Sequence, residues 1–153
     1  MAASEPAALT DGERAFLAAL TELGVAYLLV GMSAALLQGA RGATEDLDLW
    51  FEDLGDPRIG EAARRAGGFF VTRSQPPMLG GMGERFDVVA TMSGLPDFQA
   101  EYGASIPVVL EGVRVRLLPL DRILASKRAA NRIKDQAVLH ALEVALKVTD
   151  RLK

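Results

Sequence analysis

VGMSAALLQGARGATEDLDLW (Val30–Trp50) decides the reading of this chain. It joins a glycine turn, a short apolar helix, a second glycine turn and then Asp46 and Asp48, one residue apart. Around the aspartates the text is apolar and β-prone, with Leu47, Leu49, Trp50 and Phe51. On a strand, residues i and i+2 share a face, so Asp46 and Asp48 are expected to project together with Leu47 turned away. Two adjacent carboxylates repel and raise each other's pKa unless something neutralises them. A hard divalent cation such as Mg²⁺ or Mn²⁺ takes oxygen ligands and does so. The pattern therefore predicts a metal site on a sheet and, with it, phosphate chemistry.

Outward from that stretch the chain reads as alternating elements. Thr10 or Asp11 caps a helix carrying Phe16, Leu17, Leu20 and Leu23, and Gly24 ends it. Val25–Val30 reads as a buried strand, Ser33–Gln38 as a short helix and Leu47–Phe51 as the second strand. Asp56-Pro57 starts a helix with Ile59, Ala62, Ala63 and Ala66 on its apolar side, and Gly67-Gly68 stop it. Phe69–Thr72 reads as a strand, Gln75–Gly83 as a Pro/Gly-rich loop, Phe86–Ala90 as a strand and Pro96–Tyr102 as a helical turn. Pro107–Leu110 and Val113–Leu117 flank Glu111-Gly112 like a hairpin. Pro119 opens a helix at its first position, and helix runs on to about Val148 with a break near Asn131. The expected architecture is a mixed α/β (α+β) domain with one central sheet. It is expected as a single unit over residues 1–153, with a core over about 10–118 and a helical region over about 119–150.

The chain has 153 residues, is half hydrophobic and carries a net charge of −3. An acidic balance is not the footprint of a protein that coats nucleic acid. There is no cysteine, which removes disulfides and thiolate metal sites, and one histidine, His140, which removes a multi-histidine zinc site. No leader-like start and no apolar run of about 20 residues is evident, so a cytoplasmic location away from the membrane is expected.

Asp87, in Arg85-Phe86-Asp87-Val88-Val89, is the best third acid. On adjacent strands the three aspartates would form a cluster able to hold two cations. Gly31 lets a phosphate approach the backbone at a helix start, and Ser33 adds a hydroxyl donor. Taken singly these features are ordinary: a D-x-D can be a solvent face, and a strand–Gly–helix turn is common α/β construction. Their order and spacing carry the reading. Lys127, Asn131 and Lys134 fall at i, i+4 and i+7, with Arg128 and Arg132 on the next stripe. These cations read equally as a field for a triphosphate or RNA and as a solvated face partnered by Asp135 and Glu143. His140 reads as a partly buried structural residue, and Trp50 and Phe51 as core.

That order resembles the DNA polymerase β-like nucleotidyltransferase superfamily. It looks like its small bacterial branch, which includes nucleotidyltransferase-like proteins of abortive-infection and toxin–antitoxin systems. The matching text is Val30-Gly31, Gly39 and Ala43-Thr44-Glu45-Asp46-Leu47-Asp48-Leu49. Glu111-Gly112-Val113-Arg114-Val115, followed by Leu124-Ala125-Ser126-Lys127 through Asn131-Arg132-Ile133-Lys134-Asp135, also resembles the branch's C-terminal region. The resemblance implies a polymerase β-like nucleotidyltransferase fold, with Asp46, Asp48 and Asp87 as metal ligands and catalytic residues. It implies nucleotide contacts at Gly31, Ser33, Thr44, Lys127 and Lys134. The implied reaction moves a nucleoside monophosphate from a nucleoside triphosphate to a hydroxyl of an RNA, a protein or a small molecule, with Mg²⁺ or Mn²⁺. An implied role is that of a toxin in a toxin–antitoxin or phage-defence system, with an antitoxin or a homodimer partner. Two departures stand out: Met32 follows Gly31 where Gly or Ser is usual, and Arg41 sits one residue before the usual arginine position, now Gly42. They leave open an alternative, a catalytically silent binding or regulatory module. A third reading, nucleic-acid binding by the Lys127–Lys134 helix, is disfavoured by the acidic balance.

Overall fold

The computed structural model describes residues 8–74, 77–82 and 85–151. Two expectations fall partly outside these: the leaderless start, and Gln75, Pro76 and Gly83 of the loop. In chain order the elements are α1 (Asp11–Glu22), β1 (Tyr27–Val30), α2 (Gly31–Leu37), β2 (Leu47–Phe51), α3 (Pro57–Arg65), β3 (Phe69–Val71) and β4 (Met78–Gly80). There follow β5 (Phe86–Val89), α4 (Phe98–Gly103), β6 (Ile106–Leu110), β7 (Val113–Leu117), α5 (Leu120–Ala130) and α6 (Ile133–Arg151).

Five strands form one mixed sheet in the order β5-β2-β1-β7-β6. β1 is antiparallel to β2 and parallel to β7; β2 is parallel to β5, and β6 antiparallel to β7. Among the described residues there is a second sheet, the two-stranded β3-β4 hairpin, where one sheet was expected. β4 lies inside the stretch expected to be loop. Its Gly80 leaves room for the Phe69 ring, which occupies the space a side chain would need. That contact lets a Pro/Gly-rich segment pair as a strand despite its composition.

The elements follow from local chemistry. Thr10 caps α1 with a full capping box: its hydroxyl accepts from Glu13 N, and Glu13 accepts from Thr10 N at 2.8 Å. Phe16, Leu17 and Leu20 then share the face of α1 that is buried completely. Asp56 caps α3 and Pro57 is its first residue. Pro119 caps α5 instead of being its first residue, one position from expectation. Asn131 adopts a left-handed conformation (φ 49°, ψ 38°) and breaks the C-terminal helix where the break was expected. The core lies on both sides of the sheet, and Leu28, Leu29, Leu47, Leu49, Phe51 and Leu117 are all buried within it. No helix among the described residues is long and apolar enough to cross a membrane.

Glu13 is fully buried, yet it is charged. Arg85, at the entry to β5, grips it with two bonds of 2.9 and 2.6 Å. Burial works to raise the Glu13 pKa, but the Arg85 and Thr10 hydrogen bonds win and hold it below its ordinary 4.5. A carboxylate with a lowered folded pKa contributes stability above its unfolded pKa and loses it as pH falls through the folded value. Glu13→Gln should therefore destabilise the protein by about 3 kcal/mol at pH 7. The gap to wild type should shrink below pH ~4; thermal unfolding across pH reads both.

Candidate functional site

β2 carries Asp48 directly between Val30 of β1 and Asp87 of β5: Val30↔Asp48 and Asp48↔Asp87 are register partners. Asp46 lies just before β2, not within it. Its carboxylate nonetheless lies close enough to Asp87 to raise that group's pKa. The sheet thus brings together all three aspartates expected as a cluster. Among the described residues, however, no three Asp, Glu, His or Cys side chains converge into a complete metal ligand set. The geometry at Gly31 shows part of the reason. Gly31 has a positive φ of 65°, and a Cβ built there would collide with the Asp48 carboxylate, whose Cγ stands 3.1 Å away. The missing side chain is the space that the carboxylate fills. Asp48 is therefore packed against the start of α2.

The electrostatics are unfavourable for the charged forms. Burial first, then the charges of Asp87 and Asp46, push the Asp48 pKa up to about 6 against the pull of Lys127 and Lys134. Asp87 is raised by burial and by the Asp46 carboxylate beside it. The donor set suits a hard divalent cation, since every candidate ligand is a carboxylate oxygen and their mutual repulsion is what a cation relieves.

A cleft of about 820 Å³ opens over the cluster. Gly31, Thr44, Asp46, Asp48, Asp87, Lys127 and Lys134 line it, so seven of the eight residues expected at the site meet there. Ser33 does not. It is fully buried, and its hydroxyl donates to Val30 O (3.1 Å) and accepts from Asp48 N (3.4 Å). In place of a phosphate contact it ties the end of β1 to the aspartate strand. Thr44 also acts locally, its hydroxyl accepting from Asp46 N at 3.2 Å and holding the turn that presents Asp46. Met32 also lines the cleft, and Arg41 is exposed outside its walls.

The cations arrive on a bent corner, not one continuous helix face. Lys127 is near the end of α5, Asn131 makes the turn, and Lys134 is near the start of α6. Asp135 organises that corner. It was expected as a solvent-side partner, but it is fully buried. It accepts from Arg132 Nε (2.6 Å), Nη2 (3.0 Å) and backbone N (3.2 Å), and Lys127 Nζ stands 3.3 Å away. Burial opposes its ionisation, but the Arg132 and Lys127 bonds overcome that and hold it down to about 2. Lys134 makes no ion pair within the chain among the described residues, so it is the cation left open to an incoming anion. Arg128 pairs with Glu143 at 3.1 Å, as expected of a solvated face.

Sequence reasoning missed Thr91, Met92 and Ser93, which line the cleft after β5. The signal was their place: a turn immediately following the strand that carries Asp87. His140 is exposed, not partly buried. Trp50 is core, its indole N–H bonded to Ala90 O at 3.2 Å and its ring edge-on to Phe98.

No protein-family model matches this chain, and no curated protein matches it in sequence.

The raised pKa of Asp48 is a stability penalty. The folded state holds the proton more tightly than the unfolded chain, whose value is 3.8, so stability falls as pH rises from about 4 through 6. Asp48→Asn should be more stable than wild type at pH 7.5 in EDTA by about 1–3 kcal/mol, with the difference vanishing near pH 4. Thermal melts over that range measure it. Gly31→Ala should cost about 2 kcal/mol or more through strain and collision. The cost should be smaller in an Asp48→Ala background, and a double-mutant cycle isolates the contact.

Proposed function

We propose that the cleft transfers a nucleoside monophosphate from a nucleoside triphosphate to a hydroxyl acceptor. The observation that carries the reading is the alignment of Asp48 with Asp87 across β2 and β5, beside Asp46 and over a side-chain-free Gly31. The order of motifs resembling the polymerase β-like nucleotidyltransferases supports it, as does a cleft volume in the range that takes a small-molecule ligand.

In this reading Asp46, Asp48 and Asp87 hold Mg²⁺ or Mn²⁺. The bound cation supplies charge neutralisation at the phosphates and a lower pKa for the attacking hydroxyl. Asp87, at the open side of the cluster, orients the acceptor hydroxyl and takes its proton. The acceptor oxygen bonds to the α-phosphorus, the bond from that phosphorus to the β-bridging oxygen breaks, and pyrophosphate leaves with the bonding pair. Lys134 and Lys127 face the departing phosphates, and Asp135 keeps Lys127 and Arg132 in place. Gly31 lets the triphosphate lie close to the backbone. Positioning and charge neutralisation are what this reaction asks of a protein.

A second reading, a silent binding module, is favoured by Met32 in the cleft wall, by Arg41 outside it and by the absence of a closed ligand set among the described residues. Such a module would bind a partner, an antitoxin-like or regulatory role, without turnover. Under the first reading, the resemblance adds a toxin role: expression slows growth, and Asp48→Asn relieves it.

A thermal-shift panel of ATP, CTP, GTP and UTP, each with and without Mg²⁺, followed by transfer of the labelled nucleotide, separates the two. One nucleotide at about 100 times its Kd should add about 2.7 kcal/mol of stability, only with the metal present. Asp46→Asn, Asp48→Asn and Asp87→Asn should each lower transfer by about a hundredfold to a thousandfold. Unchanged transfer in these variants would falsify the assignment; no metal-dependent shift with any nucleotide would favour the silent module.

A further inference from the structure

β1 and β7 pair at a single register point, Leu29↔Leu117. Before it, the two strands diverge, and a notch of about 580 Å³ opens between the end of α1, the start of β1, β6 and β7. The notch is at the opposite end of β1 from Gly31 and shares no wall residue with the aspartate cleft.

Three features of its wall point to a ligand. Tyr27, 5 % exposed, lines it, and its hydroxyl is, among the described residues, the one buried side-chain polar atom with no hydrogen-bond partner. Thr21 stands near that phenol, but its one hydroxyl proton is given to Leu17 O at 3.2 Å, so it does not donate to the phenol oxygen. Burial raises the phenol's pKa, so the group stays a neutral donor. The second feature is charge: Arg114 and Arg116 both line the notch, no acidic residue does, and neither arginine has an ion-pair partner among the described residues. Arg116 is half-buried and held in place, its guanidinium 5.3 Å from the Tyr102 ring centroid and one nitrogen on Ser105 Oγ at 3.2 Å. That leaves most of its five N–H donors unused. The third is apolar surface, with exposed Val109 and half-buried Val108 in the same wall. A half-buried cation without a counter-ion and a buried hydroxyl without a partner both carry a cost that a ligand removes.

We propose that this notch is a second binding site, for a small oxyanion carried on an apolar body. The carboxylate or phosphate head meets Arg114 and Arg116, the body covers the valines, and Tyr27 donates to the ligand's oxygen. The assignment stands independently of the nucleotide-transfer reading.

Amide NMR titrations of the full chain with 2-naphthoate, 2-naphthyl phosphate and uncharged 2-naphthamide test it. Either anion should give saturable shifts at Thr21, Tyr27, Val108 and Arg116, with a Kd on the order of 0.1–1 mM for so small a probe. The tighter of the two identifies the head group. The amide should bind about tenfold more weakly, and Arg114→Gln/Arg116→Gln should cost the anions about tenfold. Tyr27→Phe should weaken binding about threefold while raising the Tm of the free protein, a pairing that a merely structural hydroxyl would not give. If the double variant fails to fold, the exposed Arg114→Gln alone carries the charge test. No saturable shift at the notch up to about 5 mM, equal binding of the amide, or shifts confined to Gly31, Met92 and Lys134 would each overturn the proposal.

Discussion

Repulsion among Asp46, Asp48 and Asp87 is the constraint around which the cleft is arranged, and the hydrophobic core enforces it. β2 meets β5 from Leu47↔Phe86 to Trp50↔Val89, which sets Asp48 opposite Asp87. Sliding β2 by one residue would part the carboxylates, but it would also turn Leu47, Leu49 and Phe51 from the core to the other face. Each of those side chains is at most 1 % exposed, and burying one contributes about 1.5–3 kcal/mol. Three of them outweigh a pKa penalty of the size seen at Asp48. The sheet therefore keeps like charges together at the cleft because the opposite face cannot release its side chains. Ser33 and Thr44 reinforce the arrangement by fixing the backbone nitrogens of Asp48 and Asp46.

The opposing charge comes from a different kind of structure. Lys127, Arg132 and Lys134 lie on two helices and the turn between them, and long cationic side chains there would ordinarily spread into solvent. Asp135 prevents that by accepting three bonds from Arg132 and standing 3.3 Å from Lys127. A buried carboxylate so completely satisfied is an anchor more than a source of net stability. Its contribution is direction: it holds Arg132 and Lys127 at the corner where Asn131 breaks the helix, and Lys134 lines the cleft with the aspartates. The cations already draw down part of the Asp48 shift, yet its pKa still stands near 6. The residual imbalance is the physical case for a further positive charge in the cleft.

Local patterns were legible in the sequence wherever one interaction range decided them. The strands Leu47–Phe51 and Val113–Leu117, the Thr10 cap and the break at Asn131 all follow from alternation, capping chemistry and turn residues within a few positions. The pairing of Asp48 with Asp87 was legible as a combination, because each sits in an apolar strand. What escaped depended on distant contacts. β4 exists because the Phe69 ring lies over Gly80, a contact that Pro/Gly composition hides. Ser33 looked available at a helix start, but the close packing of α2 on β1 buries it and commits its hydroxyl. Asp135 looked like a surface partner because charges on helices usually are; the fold of α6 back onto α5 buries it. The polymerase β-like identity of the fold remains the reading of motif order, whereas the mixed sheet with flanking helices is what the structure displays.

Two unfavourable spots of the described residues sit at opposite ends of one four-residue strand. Tyr27, with its orphaned hydroxyl, begins β1, and Val30, beside Asp48, ends it. Three residue steps along a strand separate them by about 10 Å. Between them Leu28 and Leu29 are fully buried, and all four residues of β1 pair with β2 in unbroken antiparallel register. A strand so held behaves as a rigid spacer, since shifting it would move every partner on β2, Asp48 included. Its other side is looser: a single register point joins it to β7, and the notch is what that short pairing leaves. The same shortness of β1 thus serves both ends. Stopping at Val30 lets Gly31 turn away and make room for a carboxylate, and starting at Tyr27 leaves β7 uncovered beside two arginines that have no ion pair among the described residues.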